Sequence, residues 1–306
     1  MNPPGDPAGL ARLRARLARA ARQFFDERGV IEVNTPLITA AGVTDVHIDS
    51  VAVAGDRFLR TSPEYAHKRL LAAGVGDLYE LGPAFRGGER GRLHRCEFML
   101  LEWYRVGRDW QSLAGETVEL IDALAPAPGR TVEFVRWNDL VRRETGLDFS
   151  RADGATMARA CAGAPAGLDE PEQLDWLFAT RVQPRLRANA ITVVHHFPAV
   201  QGALARLAPD DPAWAERFEV FAGTMELANG YRELTDAREQ RARFECDNRR
   251  RAALGRRAMP IDETLLAALD AGLPECAGVA LGFDRLVMLA AGADELGVVQ
   301  LLDPRS

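Results

Sequence analysis

The sequence predicts an α+β protein in which an antiparallel sheet is flanked by helices. Two pairs of apolar, strand-like runs indicate antiparallel hairpins: residues 78–85 pair with 98–104, and two shorter runs flank Gly223. Helical patterns occur near the beginning of the chain and at residues 236–251, where a strongly charged helix is expected. With 306 residues and 47% hydrophobic content, the chain can bury a sizeable core.

The first predicted element is an amphipathic helix at residues 10–28, rich in arginine and alanine. Gly29 is placed to end this helix as its C-cap. Residues 30–33 then indicate a strand that ends before Pro36, because the residue preceding a proline avoids the helical region. A helix that only packs against the sheet is the simpler interpretation of the same pattern.

The connection of the first hairpin is long, cationic and rich in glycine. Arg86 begins it, and Gly87, Gly88 and Gly91 make it mobile. An arginine at the mouth of a hairpin suits a polyphosphate, because its planar fork binds two oxygens at once. Phe98, just after the connection, is placed to stack on a base ring. A solvated loop without a ligand is the alternative.

The second pair of strand-like runs carries Glu219 and Glu226. Carboxylates on adjacent strands repel each other unless a cation lies between them, so the pair favours Mg²⁺ or the ammonium group of a substrate. Asn229 and Glu233 follow, adding a neutral hydrogen-bonding group and another acid. Separate, solvated surface acids would give the same sequence.

Ser62, Pro63 and Glu64 precede an apolar run and predict the start of a helix. Serine is expected at the N-cap, proline at the first helical position and the acid in the first turn. Helix capping alone explains these residues without any ligand.

A second helix start lies in residues 277–289, where Gly282 precedes Asp284 and Arg285. Glycine lets a backbone approach a ligand closely, and a guanidinium group stays charged and can hold a phosphate at two points. An ordinary ion pair at the start of a helix is the alternative interpretation.

In their order along the chain, these segments resemble the catalytic domain of class II aminoacyl-tRNA synthetases, specifically the lysyl type. Residues 10–36 resemble the first class II motif, 85–104 the second and 278–289 the third, and lysyl-type segments lie between them at 62–64 and 226–236. The likeness covers roughly residues 10–302. It is greatest to the short lysyl-type paralogs that attach β-lysine to a lysine of elongation factor P. The resemblance implies a single catalytic domain over residues 1–306 and a homodimer formed through the first motif.

The resemblance also implies that ATP activates a lysine-like substrate as its acyl-adenylate, which a lysine amine then attacks. Arg86 and Arg285 are expected to be the catalytic residues, and Glu219 and Glu226 to hold Mg²⁺. The expected ATP-binding residues are Arg86, Gly88, Glu89, His94, Arg95, Phe98, Glu226, Leu227, Gly282 and Arg285, and the expected substrate-binding residues are Ser62, Pro63, Glu64, Tyr104, Asn229, Glu233 and Ala280.

Three positions depart from the family pattern. The second motif usually reads Phe-Arg-x-Glu, whereas Gly88 occupies the place of the acid here and Glu89 follows one residue late. The usual His-Asn pair is His94-Arg95, and Ala280 stands where lysyl synthetases have glycine. The missing acid keeps open a different function, that of a catalytically idle regulatory paralog that binds lysine or ATP.

Composition limits location and partners. The sequence has no apolar run of about 18 residues and no apolar signal region at its start, so we expect a cytoplasmic protein without a membrane span. About nine residues precede the first helix, too few for an anticodon-binding barrel, and the net charge is −6. We therefore expect elongation factor P as the acceptor rather than tRNA, with charging of tRNA or of a small metabolite as the alternative.

Overall fold

The computed structural model describes residues 6–302, so the ends of the expected domain, residues 1–5 and 303–306, lie outside the described part. The chain divides into two compact units, Met1–Pro126 with Glu233–Ser306, and Ala127–Arg232. In chain order the elements are α1 Pro7–Asp26, β1 Ile31–Glu32, β2 Ile38–Thr39, β3 Ala52–Val53, β4 Arg57–Leu59, α2 Glu64–Ala72, β5 Leu78–Phe85, β6 Glu97–Val106, α3 Trp110–Leu124, β7 Thr131–Arg136, α4 Trp137–Thr145, α5 Gly154–Ala160, α6 Glu170–Leu177, β8 Ala190–Pro198, β9 Trp214–Ala222, β10 Met225–Arg232, α7 Ala237–Ala253, α8 Glu263–Gly272, β11 Cys276–Gly282 and α9 Phe283–Ala291.

The first unit is organised around strands that run in the order β1–β5–β6–β11. The pairs β5–β6 and β6–β11 are antiparallel, which confirms the hairpin predicted from residues 78–104. β1 pairs with β5 in parallel, which requires a long connection, and β2, β3, β4 and α2 lie in the chain between the two strands. A smaller antiparallel sheet has the order β2–β4–β3.

One face of the β5–β6–β11 sheet is apolar and carries the core of the first unit. Phe25 of α1 stacks on Tyr79 with ring centroids 4.4 Å apart, and it lies 5.3 Å from the ring of Trp103. All three rings are buried. Because side chains alternate along a strand, the opposite face receives Glu80, Glu102 and their neighbours, and this face is polar.

The second unit contains strands in the order β10–β9–β8–β7. The β9–β10 hairpin around Gly223 is confirmed, and β8 with β9 is also antiparallel. β7 and β8 are parallel. The predicted α+β fold with a largely antiparallel sheet flanked by helices is confirmed, and the strands β1 and β7 are the ones that pair in parallel with their neighbours. The core of this unit is aromatic and aliphatic, built on Trp137, Phe178, Phe197 and Phe221.

The predicted helix after Ser62 exists, but its start differs by one residue. α2 begins at Glu64, and Pro63 is the N-cap. Ser62 Oγ still accepts a hydrogen bond from the backbone N–H of Glu64 at 3.0 Å. The same hydroxyl donates a hydrogen bond to the buried carboxylate of Glu102, so its position is set by two partners. Among residues 6–302, no helix combines the length and apolar character needed to cross a bilayer.

Candidate active site

The strand register of the first unit collects polar side chains on one face. Glu80 is opposite Glu102, Ala280 is also opposite Glu102, and Gly278 is opposite Tyr104. Cross-strand partners project to the same side of a sheet, so all five residues share a face. The expected substrate residues Tyr104 and Ala280 are thereby neighbours, although they lie 176 positions apart in the chain.

Two of the expected substrate residues, Glu64 and Glu233, are joined by a lysine. The ammonium nitrogen of Lys68 lies 2.7 Å from Glu64 Oε1 and 2.6 Å from Glu233 Oε2. Glu233 is 0% exposed and Lys68 is 1% exposed. Lys68 is the only lysine in the sequence. Since a buried charge is costly without a partner, this arrangement is a deliberate pairing rather than a surface contact.

The two carboxylates share one ammonium group, and burial dominates their titration. Burial raises the pKa of Glu233, Lys68 opposes that rise, and Glu64 reinforces it, giving a pKa of about 8. Burial likewise raises the pKa of Glu64 against the opposing charge of Lys68. Oε1 of Glu233 is buried and has no hydrogen-bond partner within the described chain. A further cation at this oxygen would keep Glu233 ionised.

Glu102 contacts three groups on this side of the sheet, one from β6 and two from α2 and the residues before it. Its Oε2 accepts a hydrogen bond from Ser62 Oγ at 2.7 Å, and its Oε1 accepts one from Tyr104 Oη at 3.0 Å. The ring of His67 approaches Glu102 from α2. Burial raises the pKa of Tyr104 well above 10, and the charge of Glu102 adds to that effect, so its hydroxyl stays protonated.

Gly278 forms the floor between two of these side chains. A Cβ atom placed on it would lie 2.3 Å from Tyr104 Cε1 and 2.5 Å from Glu233 Oε1. No side chain larger than hydrogen fits there without moving the pocket. Ala280, one step along the same face of β11, is partly exposed, so its methyl group borders the open side of the pocket.

Arg86 and Phe98, the expected phosphate and adenine contacts, lie together. The guanidinium carbon of Arg86 is 5.1 Å from the centre of the Phe98 ring. Oε1 of Glu89 lies 3.6 Å from the guanidinium group of Arg86, so the late acid of the second motif lies beside this arginine. Gly88 has a φ of 75°, a left-handed conformation that favours glycine over glutamate. Arg86 Nε is buried and has no hydrogen-bond partner within the described chain.

Arg285 of the third motif contacts the second-motif loop. Its NH2 lies 2.9 Å from His94 Nε2, and its Nε donates weakly to the carbonyl of Leu93 at 3.4 Å. The preceding residue, Asp284, accepts a hydrogen bond from the Met99 backbone N–H at 2.7 Å and so fixes the start of α9, just after Gly282, against β6.

Arg95 has a different position from the other loop arginines. It is buried, and its NH1 donates to the carbonyls of Gly91 and His94. Its guanidinium group thus holds the loop's own backbone, whereas Arg90 and Arg92 are exposed. These contacts give Arg95 a structural role, and its expected role at ATP stays a prediction.

Glu219, Glu226, Leu227 and Asn229 belong to the second unit. Asn229 is directly opposite Glu219, and Glu226 is opposite Phe221 on the same face of the β9–β10 pair. Arg217, which the sequence did not single out, pairs with Glu219 and donates to Asn229 Oδ1 at 3.3 Å.

Burial raises the pKa of Glu219 to about 7 against the lowering effect of Arg217, and the charge of Glu226 raises it further. A divalent cation relieves this kind of carboxylate repulsion, so the donor set fits Mg²⁺. Residues 6–302 contain no group of three or more Asp, Glu, His or Cys side chains arranged to hold a metal ion.

The sequence singled out the acids Glu64 and Glu233 of the first unit and Glu219 of the second, but not the residues around them. In the first unit these are Arg60, His67, Lys68, Glu80, Glu102 and Gly278, and in the second unit Arg217. One signal was available: Lys68 follows Glu64 by four positions, which is the spacing of a helical ion pair.

The chain matches known proteins over nearly its whole length. The family described as tRNA synthetases class II (D, K and N) matches residues 8–303. A protein of Erwinia tasmaniensis named elongation factor P–(R)-β-lysine ligase is 46% identical over 310 residues, which cover 95% of this chain and 94% of its own. Proteins with the same name from Sodalis glossinidius and Proteus mirabilis are 43% and 41% identical, covering 97% and 95% of this chain and 95% and 94% of their own.

Proposed function

Because this chain belongs to the family of class II tRNA synthetases (D, K and N), we propose that it activates a lysine-like amino acid with ATP and transfers it to a lysine side chain of elongation factor P. The observation that carries this proposal is the buried Glu64–Lys68–Glu233 group, in which two carboxylates share one ammonium. The relatives' name makes (R)-β-lysine the proposed amino acid.

Counting charges supports a cationic substrate. The cluster comprises four acids and three bases, which leave one negative charge when all are ionised; they are Glu64, Glu80, Glu102 and Glu233 with Arg60, His67 and Lys68. A buried excess charge is unfavourable, so a substrate ammonium that cancels it gains binding energy. The unpartnered Oε1 of Glu233 and the lone pairs of Tyr104 Oη are the acceptors proposed for that group.

In the first step, a carboxylate oxygen of the amino acid attacks the α-phosphorus of ATP, and the bond to pyrophosphate breaks. Such a step depends mainly on positioning and on neutralising charge. We assign Arg86 to the α-phosphate and the substrate carboxylate, Arg285 and His94 to the terminal phosphates, and Phe98 with Glu89 to adenine. Gly88 and Gly282 leave the backbone free to approach the nucleotide.

In the second unit, Glu219 and Glu226 would hold Mg²⁺, which supplies charge neutralisation for phosphate oxygens. Leu227 is assigned to the nucleotide and Asn229 to the substrate carboxylate. These four assignments rest on the lysyl-type motif together with the carboxylate pair described above.

In the second step, the amine of the acceptor lysine attacks the carbonyl carbon of the acyl-adenylate. An amide bond forms, AMP leaves, and the amine loses a proton. The exposed Arg90 and Arg92 of the second-motif loop are proposed to meet acidic groups of elongation factor P and to steer its association.

The charge argument against tRNA is weaker than the net charge of −6 suggests. Five arginines occur between residues 249 and 257, namely Arg249, Arg250, Arg251, Arg256 and Arg257. Arg251 is buried and donates to the carbonyl of Asp45, so part of this group is structural. The proposal of a protein acceptor in the cytoplasm therefore rests on the relatives' name rather than on charge.

A homodimer through the first motif is also proposed. Three large apolar side chains near β1 and β2 are exposed, namely Ile31, Leu37 and Ile38. Apolar groups clustered on a surface are typical of contact sites between proteins. Sedimentation of the wild type and of Ile38→Glu measures the association directly, and the variant should be monomeric.

Amino-acid-dependent exchange of pyrophosphate into ATP tests the first step. The wild type should catalyse exchange with β-lysine and less well with α-lysine. Arg86→Ala and Arg285→Ala should each lose about 2.7–4 kcal/mol of transition-state stabilisation, which is the usual effect of one preorganised charge. Exchange at the wild-type rate in both variants would remove the assignment of these arginines.

The acceptor needs its own experiment. Labelled β-lysine and ATP are supplied with purified elongation factor P in one reaction and with bulk tRNA in another. Label should appear on the factor in a form that resists mild base, as an amide does. Label on tRNA alone would replace the proposal with that of a truncated tRNA-charging enzyme, and exchange without transfer to either would indicate a different acceptor.

A further inference from the structure

His67 lies between two buried carboxylates that belong to different strands. Its Nε2 is 3.2 Å from Oε2 of Glu80 on β5, and its Nδ1 is 3.6 Å from Oε1 of Glu102 on β6. The imidazole is 0% exposed. Its ring also meets the ring of Tyr104 edge-on, with centroids 5.5 Å apart. None of the assigned substrate or nucleotide contacts includes this histidine.

The surroundings favour a cationic ring. Burial lowers the pKa of His67, but a hydrogen bond with Glu80 and the charges of Glu102 and Glu80 outweigh burial and raise the pKa above the ordinary value. Glu80 is itself paired with Arg60 at 2.7 Å and accepts a hydrogen bond from Thr35 Oγ1 at 2.7 Å. The other charged groups nearby are Glu64, Lys68 and Glu233.

Among residues 6–302, His67 is the one basic residue whose side chain lies within 4 Å of the Glu102 carboxylate. Arg60 pairs with Glu80, and Lys68 pairs with Glu64 and Glu233. The carboxylate of Glu102 accepts from Ser62 on one oxygen and from Tyr104 on the other. Because Tyr104 donates its proton to Glu102, the lone pairs of Tyr104 Oη remain available as acceptors for an ammonium group.

We propose that His67 is a positioning residue for the amino-acid pocket: its cationic ring holds the carboxylate of Glu102 in the orientation in which Ser62 and Tyr104 both donate to it. Tyr104 then presents an acceptor to the substrate ammonium. The inference rests on the proposed function in that the ligand is a lysine-like amino acid, and it adds a residue that never touches that ligand.

The proposal has a pH signature. The raised pKa means that His67 keeps its proton to a higher pH than an ordinary histidine does and loses it as the pH rises further. Affinity for the amino acid should therefore be full on the acidic side of that transition and fall on the alkaline side. Glu233 has the opposite effect: because its pKa is raised, it is protonated at lower pH and then binds an ammonium group less well. This loss of affinity at lower pH should remain in any His67 variant.

The test compares His67→Gln with His47→Gln, a histidine substitution at an exposed position. Binding of β-lysine is measured by calorimetry without ATP, and the Michaelis constants for ATP and amino acid by pyrophosphate exchange. His67→Gln should weaken amino-acid binding about tenfold at pH ~7 and leave the ATP constant unchanged. It should also lack the alkaline loss of affinity that the wild type and His47→Gln share. Equal affinity and an equal pH profile in the variant would overturn the proposal.

Nuclear magnetic resonance of isotope-labelled histidine in the wild type covers the case in which His67→Gln does not fold. The His67 signal is assigned as the one that is missing from the spectrum of a folded His67→Phe or His67→Asn variant. In the wild type this signal should titrate above the ordinary histidine range. A ring that is neutral at pH ~7 contradicts the proposal. Calorimetry separates the role of His67 from the proposed function. Amino-acid binding that depends on His67, without pyrophosphate exchange, would contradict only the proposed function. A wild type that binds no lysine-like amino acid would contradict both.

Discussion

Two small residues of β11, Gly278 and Ala280, face the acidic pocket on the same side of the sheet. At Gly278 the pocket has no room for a methyl group, since an added Cβ would lie 2.3 Å from Tyr104 Cε1. At Ala280 a methyl group is already present, beside Glu102 across the β6–β11 pair. Pocket size at this point is therefore set by single carbon atoms.

We expect Gly278→Ala to weaken amino-acid binding while leaving ATP binding unchanged. The new methyl group overlaps Tyr104 and Glu233 Oε1, and such overpacking costs about 1–3 kcal/mol. The Michaelis constant for the amino acid should rise at least tenfold, read by pyrophosphate exchange. Gly115→Ala in α3 is the matched control, because an added Cβ there meets nothing within 4 Å. A normal amino-acid constant in Gly278→Ala would show that substrate binds away from this floor.

For Ala280→Gly we expect improved use of α-lysine relative to β-lysine. Removing one methyl group makes space for an amino group attached one carbon closer to the carboxylate. A methyl-sized change in a tight pocket discriminates by about 1–3 kcal/mol. The ratio of kcat/KM for the two amino acids measures the effect, and an unchanged ratio would place Ala280 outside the pocket.

At the scale of elements, the second-motif loop is held by its own arginine and by the segment after α9. Arg95 donates to two loop carbonyls, and the backbone N–H of Leu296 donates to the carbonyl of Arg92 at 2.8 Å. Arg285 contacts His94 from the start of α9. The loop that carries the proposed phosphate ligands is therefore held by its own Arg95, by the start of α9 and by the segment after α9.

We expect Arg95→Met to raise the Michaelis constant for ATP while the constant for the amino acid stays unchanged. The substitution leaves two loop carbonyls without their cationic donor, and a hydrogen bond to a charged group contributes about 1.5–3 kcal/mol. Arg90→Ala, an exposed arginine of the same loop, is the control in pyrophosphate exchange, where no acceptor protein is present. If both variants behave alike, the buried hydrogen bonds of Arg95 do not organise the ATP side.

The hairpins were predictable from sequence because alternation and glycine-rich connections are local signals. β5, β6, β9 and β10 all form near the expected positions. The partners of the pocket acids were not predictable, because they depend on strand register: Glu80 meets Glu102 only through the β5–β6 pairing. The parallel pairing of β1 with β5 was missed for the same reason, since no local pattern specifies which distant strand a short strand joins.

Across the whole molecule, the acidic pocket should oppose stability as well as provide binding. Glu64 and Glu233 share the single ammonium of Lys68, so one buried carboxylate is in excess. Natural binding sites commonly carry such unfavourable charges, and replacing them often stabilises the fold at the expense of function. The excess is therefore measurable as a dependence of unfolding on pH.

We expect Glu233→Gln to be more stable than the wild type by about 1–3 kcal/mol near pH ~9. Because the pKa of Glu233 is raised from 4.5 to about 8, the folded state holds a proton that the unfolded state has lost. Linkage then makes the wild-type free energy of unfolding fall as the pH rises through that window. Glutamine removes this slope and leaves Lys68 paired with Glu64.

Denaturant unfolding at a series of pH values measures the difference between the two proteins, with Glu275→Gln as an exposed control. The advantage of Glu233→Gln should grow between pH 4.5 and about 8, while the control shows no such trend. Saturating β-lysine should shrink the advantage, because only the wild type gains a partner for its carboxylate and ligand binding stabilises the state that binds it. A variant less stable than the wild type throughout would mean that Lys68 requires both carboxylates, and that the pocket holds no excess charge for a substrate to cancel.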